Sequence, residues 1–167
     1  MKIQTERLII TELTMEMARS LHEQSLDEET RRFVTDEVFE TEAVAADVIS
    51  FLMDCRDKGE GPQVWAVTLK DGSLIGYVQA IPLCQGWEIG YHIGSLYRGN
   101  AYATEAVKAF LPVVMEHLGI KQIDGICLAE NIGSVKVLER CGFVKRFDGM
   151  GLYQGRERHL CRFVYNL

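Results

Sequence analysis

The sequence predicts an α/β fold, a mixed and mostly antiparallel central sheet flanked by helices. Three observations carry this. Two apolar runs, Gln63 to Leu69 and Leu74 to Leu83, are joined by Lys70-Asp71-Gly72-Ser73, whose Asp-Gly pair is a hairpin signal. A small-residue junction, Arg98 to Thr104, leads from a strand into a helix with a clean apolar stripe. That helix is long enough to act as a crossover, so the strands on either side of it can run parallel.

Taken in order, Lys2 to Leu13 reads as one strand, with Leu8 and Ile10 on one face. Thr14 is placed to cap a helix carrying Met17, Ala18, Leu21 and Ser25 on one side, and Asp27 to Val34 follows as a short helix or loop. A second helix spans Thr41 to about Asp57 on a stripe of Val44, Ala45, Val48, Ile49, Leu52 and Cys55, and Gly59-Glu60-Gly61-Pro62 breaks it. After the hairpin, Trp87 to Ile93 is a third strand. The crossover helix presents Ala103, Ala106, Val107, Phe110, Leu111, Val114 and Leu118, with Gly119 as its stop. Pro112 lies inside it and predicts a kink rather than a division, because the stripe continues past it. Gln122 to Leu128 is a strand, Ile132 to Cys141 a short helix, and Phe143 to Asp148 and Glu157 to Tyr165 are closing strands separated by Met150 to Gly155.

Composition narrows the function. With 167 residues and 47% hydrophobic content, the chain suits one globular domain over 1–167. The sequence shows neither an apolar run long enough for a bilayer nor a secretory signal, which predicts a cytoplasmic protein without a membrane partner. A net charge of −6 and a pI near 5.3 argue against nucleic acid and favour a cationic substrate. Cys55, Cys84, Cys127, Cys141 and Cys161 are odd in number and lack a C-x-x-C pair, so they read as buried thiols. The histidines lack ligand spacing, and no metal is expected. The absence of a G-x-x-x-x-G-K-[ST] loop argues against a nucleotide phosphotransferase.

The junction has the chemistry of a phosphate cradle. The first turn of a helix has N–H groups without internal partners and partial positive charge. Gly99 and Ala101 keep bulk away, and Arg98 adds a fixed charge. About thirty residues on, Asn131 stands where an N-cap belongs, Ser134 lies in the first turn after it, and Gly142 stands where the helix would stop. Each motif has a plain structural role as well, as turn and as cap.

In this order, together with Thr5-Glu6-Arg7-Leu8-Ile9-Ile10 and Glu88-Ile89-Gly90-Tyr91, these motifs resemble the GNAT superfamily of N-acetyltransferases. Within it the pattern is similar to the ribosomal-protein N-terminal acetyltransferase (RimJ/RimL-like) branch, and the resemblance runs from about Thr5 to Tyr165. It implies an acetyl-CoA-dependent transferase that passes acetyl to a primary amine, a protein N-terminus or a small molecule, by direct attack in a ternary complex. The alternative on the same fold is a non-catalytic acyl-CoA-binding or sensing module. The resemblance also implies that the parallel strands splay at a bulge, which Gly90 or Gly94 could supply. Acetyl-CoA would then lie against Ile93, Arg98, Gly99, Asn100, Ala101, Tyr102, Ala103, Thr104, Asn131 and Ser134. The protein would be a monomer or a homodimer.

An amine is mostly protonated at neutral pH, so attack needs a proton acceptor. Glu88 is the first candidate for general base, Glu130 the runner-up, and an ordered water the third. Many superfamily members protonate the departing thiolate from a tyrosine in the second motif, where this chain has Leu138. Ser134 could instead hydrogen-bond the sulfur, or simply satisfy local backbone. Two further departures are Leu96, where Gln or Arg is usual, and Ala101 in place of the commoner glycine.

Overall fold

The computed structural model describes residues 2–167. Along the chain lie β1 (Ile3–Gln4), β2 (Leu8–Glu12), α1 (Ala18–Ser25), α2 (Glu28–Phe33), α3 (Glu42–Lys58), β3 (Gln63–Leu69), β4 (Leu74–Pro82), β5 (Trp87–Ile93), α4 (Tyr102–Leu118), β6 (Gln122–Leu128), α5 (Ile132–Arg140), β7 (Val144–Tyr153) and β8 (Arg156–Asn166). The strands form one eight-stranded sheet in the order β1-β2-β3-β4-β5-β6-β8-β7. Only β5 and β6 pair in parallel among the described neighbours. No described helix is long and apolar enough to cross a membrane.

Both faces of the sheet are covered, and β3 shows how. Trp65 and Val67 pack with Ala106, Phe110 and Val114 of α4, whereas Val64 and Ala66 pack with Leu21 of α1 and Ala45 and Ile49 of α3. Period-two alternation sends successive residues to opposite cores, so β3 is apolar on both sides. Burying a side chain such as Phe110 or Ile49 contributes about 1.5–3 kcal/mol.

Several elements differ from expectation. The first strand is interrupted at Thr5-Glu6-Arg7. There the Leu8 N–H donates to Thr5 Oγ1 (2.8 Å) and the Thr5 N–H donates to Leu8 O (3.0 Å), closing a turn. Glu105 of α4 clamps it, accepting from Thr5 Oγ1 at 2.6 Å and Arg7 Nε at 2.7 Å. Thr14 makes no side-chain cap; a short 3₁₀ turn at Met15–Met17 precedes α1 instead. Of the segment expected between the closing strands, Met150 to Tyr153 is strand: β7 and β8 meet at a two-residue turn in which Gln154 (φ +49°) and Gly155 (φ +73°) are both left-handed. Cys84 is exposed, whereas the other four cysteines are buried. Pro112 is exposed, and α4 runs undivided through it.

The β5–β6 ladder registers at Glu88 opposite Asp124 and is not continued towards the carboxyl ends of the strands. Neither Gly90 nor Gly94 supplies a bulge there: β4 and β5 pair from Gly76↔Ile93 to Pro82↔Trp87 without a shift. Those glycines serve close packing. A Cβ on Gly90 would stand 2.7 Å from Gln79 Nε2, and one on Gly94 would stand 2.9 Å from Gln24 Oε1.

Candidate active site

Where β5 and β6 part, the loop between β5 and α4 forms one wall of a cavity of about 320 Å³. Gly99 (φ +80°) and Ala101 (φ +60°) both take left-handed backbone. This turns main-chain amides towards one another as an anion-binding concavity. None of the N–H groups of residues 99–104 donates to another described backbone or side-chain acceptor; the ladder of α4 begins with Glu105 N–H to Ala101 O at 3.1 Å. The Thr104 hydroxyl is buried and also lacks a partner. A set of unspent donors at the positive end of a 17-residue helix fits a diphosphate.

Ala101 carries a side chain in a conformation that costs a non-glycine residue about 1–2 kcal/mol. A β-branched residue is tolerated there still less. Ala101→Val is therefore expected to lower Tm by about 2–12 °C, from a cost of about 1–3 kcal/mol, and to weaken acetyl-CoA binding in calorimetry. Unchanged affinity would show that this backbone shape is not what holds the ligand.

Arg98 is placed differently from expectation. Its guanidinium reaches back across the loop, donating twice to Asp27 (both 3.0 Å), to Glu29 at 2.6 Å and to Ile93 O at 2.9 Å. Asp27 is also the N-cap of α2, accepting from the Glu29 and Thr30 N–H groups. Burial tends to raise its pKa, but the bonds from Arg98 and Thr30 outweigh this and hold it below the usual carboxylate range. Thr30 Oγ1 donates to Asp27 Oδ2 at 2.7 Å, so its 2.9 Å contact with His92 Nε2 has the ring as donor. Burial and the Arg98 charge push the His92 pKa down to about 4, and the imidazole is neutral. Arg98 thus ties the cradle loop to α2. The cations that line the cavity from the far side are Lys136 and Arg140, one helical turn apart on α5.

A second cavity, of about 300 Å³, opens on the other side of the parted strands. Glu88 lines it, half-buried, and its carboxylate accepts from the Ile126 N–H across the gap. Burial raises the Glu88 pKa from 4.5 to about 7, and Asp124, Glu37 and Asp36 add to the rise. Asp36, Glu37 and Tyr153 share the cavity. Glu130 lines neither cavity; it is exposed and paired with Arg32 (2.7 Å) and Arg158 (2.9 Å), which hold its pKa low.

Tyr91, Asn131 and Ser134 line both cavities. Asn131 caps α5 by accepting from the Ser134 N–H at 3.1 Å, and Tyr91 Oη donates to Ser134 O at 3.1 Å. Burial pushes the Tyr91 pKa well up, so its hydroxyl stays protonated. Leu138 is buried beneath this junction, and Leu96 is 90% exposed.

This geometry, a main-chain anion cradle joined through parted strands to a carboxylate-lined hollow, agrees with what comparison gives. A profile described as "Acetyltransferase (GNAT) domain" matches residues 7–144. The chain belongs to the GNAT acetyltransferase family. A relative, the uncharacterized N-acetyltransferase YnaD of Bacillus subtilis, is 28% identical over 145 residues, covering 85% of this chain and 82% of its own. The structure of a putative ribosomal-protein-serine acetyltransferase from Vibrio cholerae superposes with a TM-score of 0.82 at 22% identity, covering 100% of this chain and 98% of that one. The Microcin C7 self-immunity acetyltransferase MccE, solved with acetyl-CoA and AMP, gives a TM-score of 0.84 at 15% identity, covering 98% and 94%. Such likenesses extend the shared GNAT fold to nearly the full length of the chain.

Of the residues singled out from sequence, Ile93, Arg98, Gly99, Ala101, Tyr102, Ala103, Thr104, Asn131 and Ser134 line the first cavity. Asn100 does not; its side chain donates to Tyr97 O and Arg98 O. Sequence reading missed the α2 wall of Glu29, Thr30 and Phe33, the cations on α5, and His92 and Tyr153. The four-residue spacing of Lys136 and Arg140 behind the Asn131 cap was a usable signal. The role of α2 had none, because it depends on contacts between segments far apart in the chain.

Proposed function

We propose that this GNAT acetyltransferase seats acetyl-CoA in the first cavity and passes acetyl to a primary amine in the second, by direct attack with both substrates bound. The observation that carries the reading is the meeting of the two cavities at Tyr91, Asn131 and Ser134, with Glu88 at the edge of the gap. Acetyl-CoA supplies the thioester, an acyl group already activated for attack by an amine. The residue 99–104 amides and Thr104 Oγ1 hold its diphosphate, with Lys136 and Arg140 facing it, and charge-assisted bonds of this kind contribute about 1.5–3 kcal/mol each.

Glu88 takes a proton from the incoming ammonium, since a carboxyl with a pKa of about 7 is partly ionised at neutral pH yet basic enough to accept. The attack forms the C–N bond and breaks the C–S bond, and the second proton lost by the nitrogen passes to the departing sulfur, so that the products are the amide and the coenzyme A thiol. Ser134 Oγ stands at the junction where the departing thiolate needs a donor, and the Tyr91 hydroxyl beside it is held by its bond to Ser134 O. Acceptors in reach of this chemistry include protein amino termini and small-molecule amines.

Thiol release from acetyl-CoA, followed across a panel of amines and checked by mass spectrometry for a 1:1 acetylated product, tests the proposal. Amine-dependent release is expected. Acetyl-CoA binding in calorimetry with no turnover on any amine would replace it with the acyl-CoA-sensing reading.

A further inference from the structure

The carboxylate-lined cavity shares a rim with a third hollow of about 330 Å³. Asp36, Glu37, Gln79 and Ile81 line both. Beyond that rim the polar chemistry stops: the walls include Leu13, Leu21, Phe39, Val48, Leu52 and Val64, drawn from α1, α3, β3 and the loops beside them. At its mouth Phe51 of α3 is 57% exposed, although the other face of that helix is packed on the sheet.

The rim is built to stay in place. Glu37 accepts from Tyr77 Oη at 2.5 Å and from Gln79 Nε2 at 2.6 Å, so each carboxylate oxygen already has a donor. Asp36 accepts from Gln154 Nε2, which pins the turn between β7 and β8 over the same opening. The structure therefore offers, side by side, a fixed acidic rim next to Glu88 and an apolar hollow deep enough for a ring or a short alkyl chain.

Resting on the transfer reading above, we infer that the acceptor is an amine carried on a bulky apolar group, whose nitrogen lies among Asp36, Glu37 and Glu88 while its aliphatic or aromatic body fills the hollow under α3. Each part of such a molecule meets its match. The ammonium is attracted by the acidic rim before Glu88 removes its proton. The apolar body leaves water for a surface that has no hydrogen bonds to satisfy, a gain of roughly fourfold in kcat/KM per methylene seated. A polar or doubly charged acceptor would gain nothing there and would be desolvated without compensation.

The test compares ethylamine, hexylamine, 2-phenylethylamine and 1,6-diaminohexane as acceptors at saturating acetyl-CoA. Hexylamine and 2-phenylethylamine are expected to exceed ethylamine in kcat/KM by at least tenfold, and 1,6-diaminohexane is expected to fall well below hexylamine. Leu52→Trp, which fills the hollow, should remove most of that advantage while the KM for acetyl-CoA and the kcat/KM for ethylamine stay within about twofold. Phe51→Ala, at an exposed site the fold does not depend on, should reduce the advantage severalfold. Turnover of ethylamine with no gain from an apolar arm, or a gain untouched by both variants, would overturn this inference and leave acetyl transfer standing. Turnover of no amine would overturn both.

Discussion

Replacing Glu88 by Gln is expected to lower kcat by about 10²–10⁴-fold while the dissociation constant for acetyl-CoA stays nearly unchanged. The carboxyl lines the acceptor cavity and is absent from the walls of the cradle, so its loss removes a proton acceptor and no phosphate contact. The pH profile carries the sharper signature. Glu88 is raised to about 7 and must be ionised to act, so activity of the unaltered enzyme should rise with pH through about 7. That limb should vanish in the variant, leaving the deprotonation of the amine itself at higher pH. An unaltered profile would remove Glu88 from the role.

Stability should move the other way. In the unfolded chain the same carboxyl titrates near 4.5, so between pH 4.5 and 7 the folded state binds the extra proton. Folding stability then falls as pH rises through that window, because ionising Glu88 in its buried setting is unfavourable. Gln has no such slope and can still accept from Ile126. The variant should therefore melt higher than the unaltered protein at pH 8, with a smaller gain at pH 5. A catalytic loss with a pH-dependent stability gain separates a base from a residue that merely supports the fold.

The legibility of these features from sequence followed how local they are. β3, β5 and β6 were read to their final residues because alternating or continuous apolar runs bounded by turn residues depend on nearest neighbours. The cradle was readable for the same reason: Gly99, Ala101 and the start of α4 are consecutive. Arg98 was read as a fixed charge beside the cradle, which it lines, but its bonds to Asp27 were not foreseen, since that partner is 71 positions away. Before folding, nothing distinguishes a cation facing a ligand from one facing a helix cap. The β7–β8 hairpin was cut short because Gln154 in left-handed backbone is not a residue type that signals such a turn. Thr5 and Arg7 broke the first strand through Glu105 of α4, again a partner remote in sequence.

Gly76→Ala is expected to be the most damaging single methyl in the chain, and the reason links the sheet to the site. A Cβ at this position would lie 2.0 Å from His92 O and 3.0 Å from Ile93 Cα, backbone atoms of the neighbouring strand that cannot rotate away. Relief requires β4 and β5 to separate where Gly76 opposes Ile93, next to the Gly94 N–H to Ile75 O bond of 2.9 Å. Overpacking of this kind costs about 3 kcal/mol or more, a fall in Tm of about 6–12 °C for a chain of this size. Gly72→Ala is the matched control, because Gly72 has positive φ but open space around its Cβ, and the backbone penalty alone is about 1–2 kcal/mol. The two should also differ at the ligand. His92 stacks on Tyr77 (5.4 Å between ring centroids) and bonds Thr30, and Ile93 O accepts from Arg98, so a shifted β5 pulls on both the α2 wall and the cradle loop. Calorimetry should therefore show weakened acetyl-CoA binding for Gly76→Ala and unchanged binding for Gly72→Ala. Equal losses in the two variants would mean that β5 is not the beam on which the cradle rests.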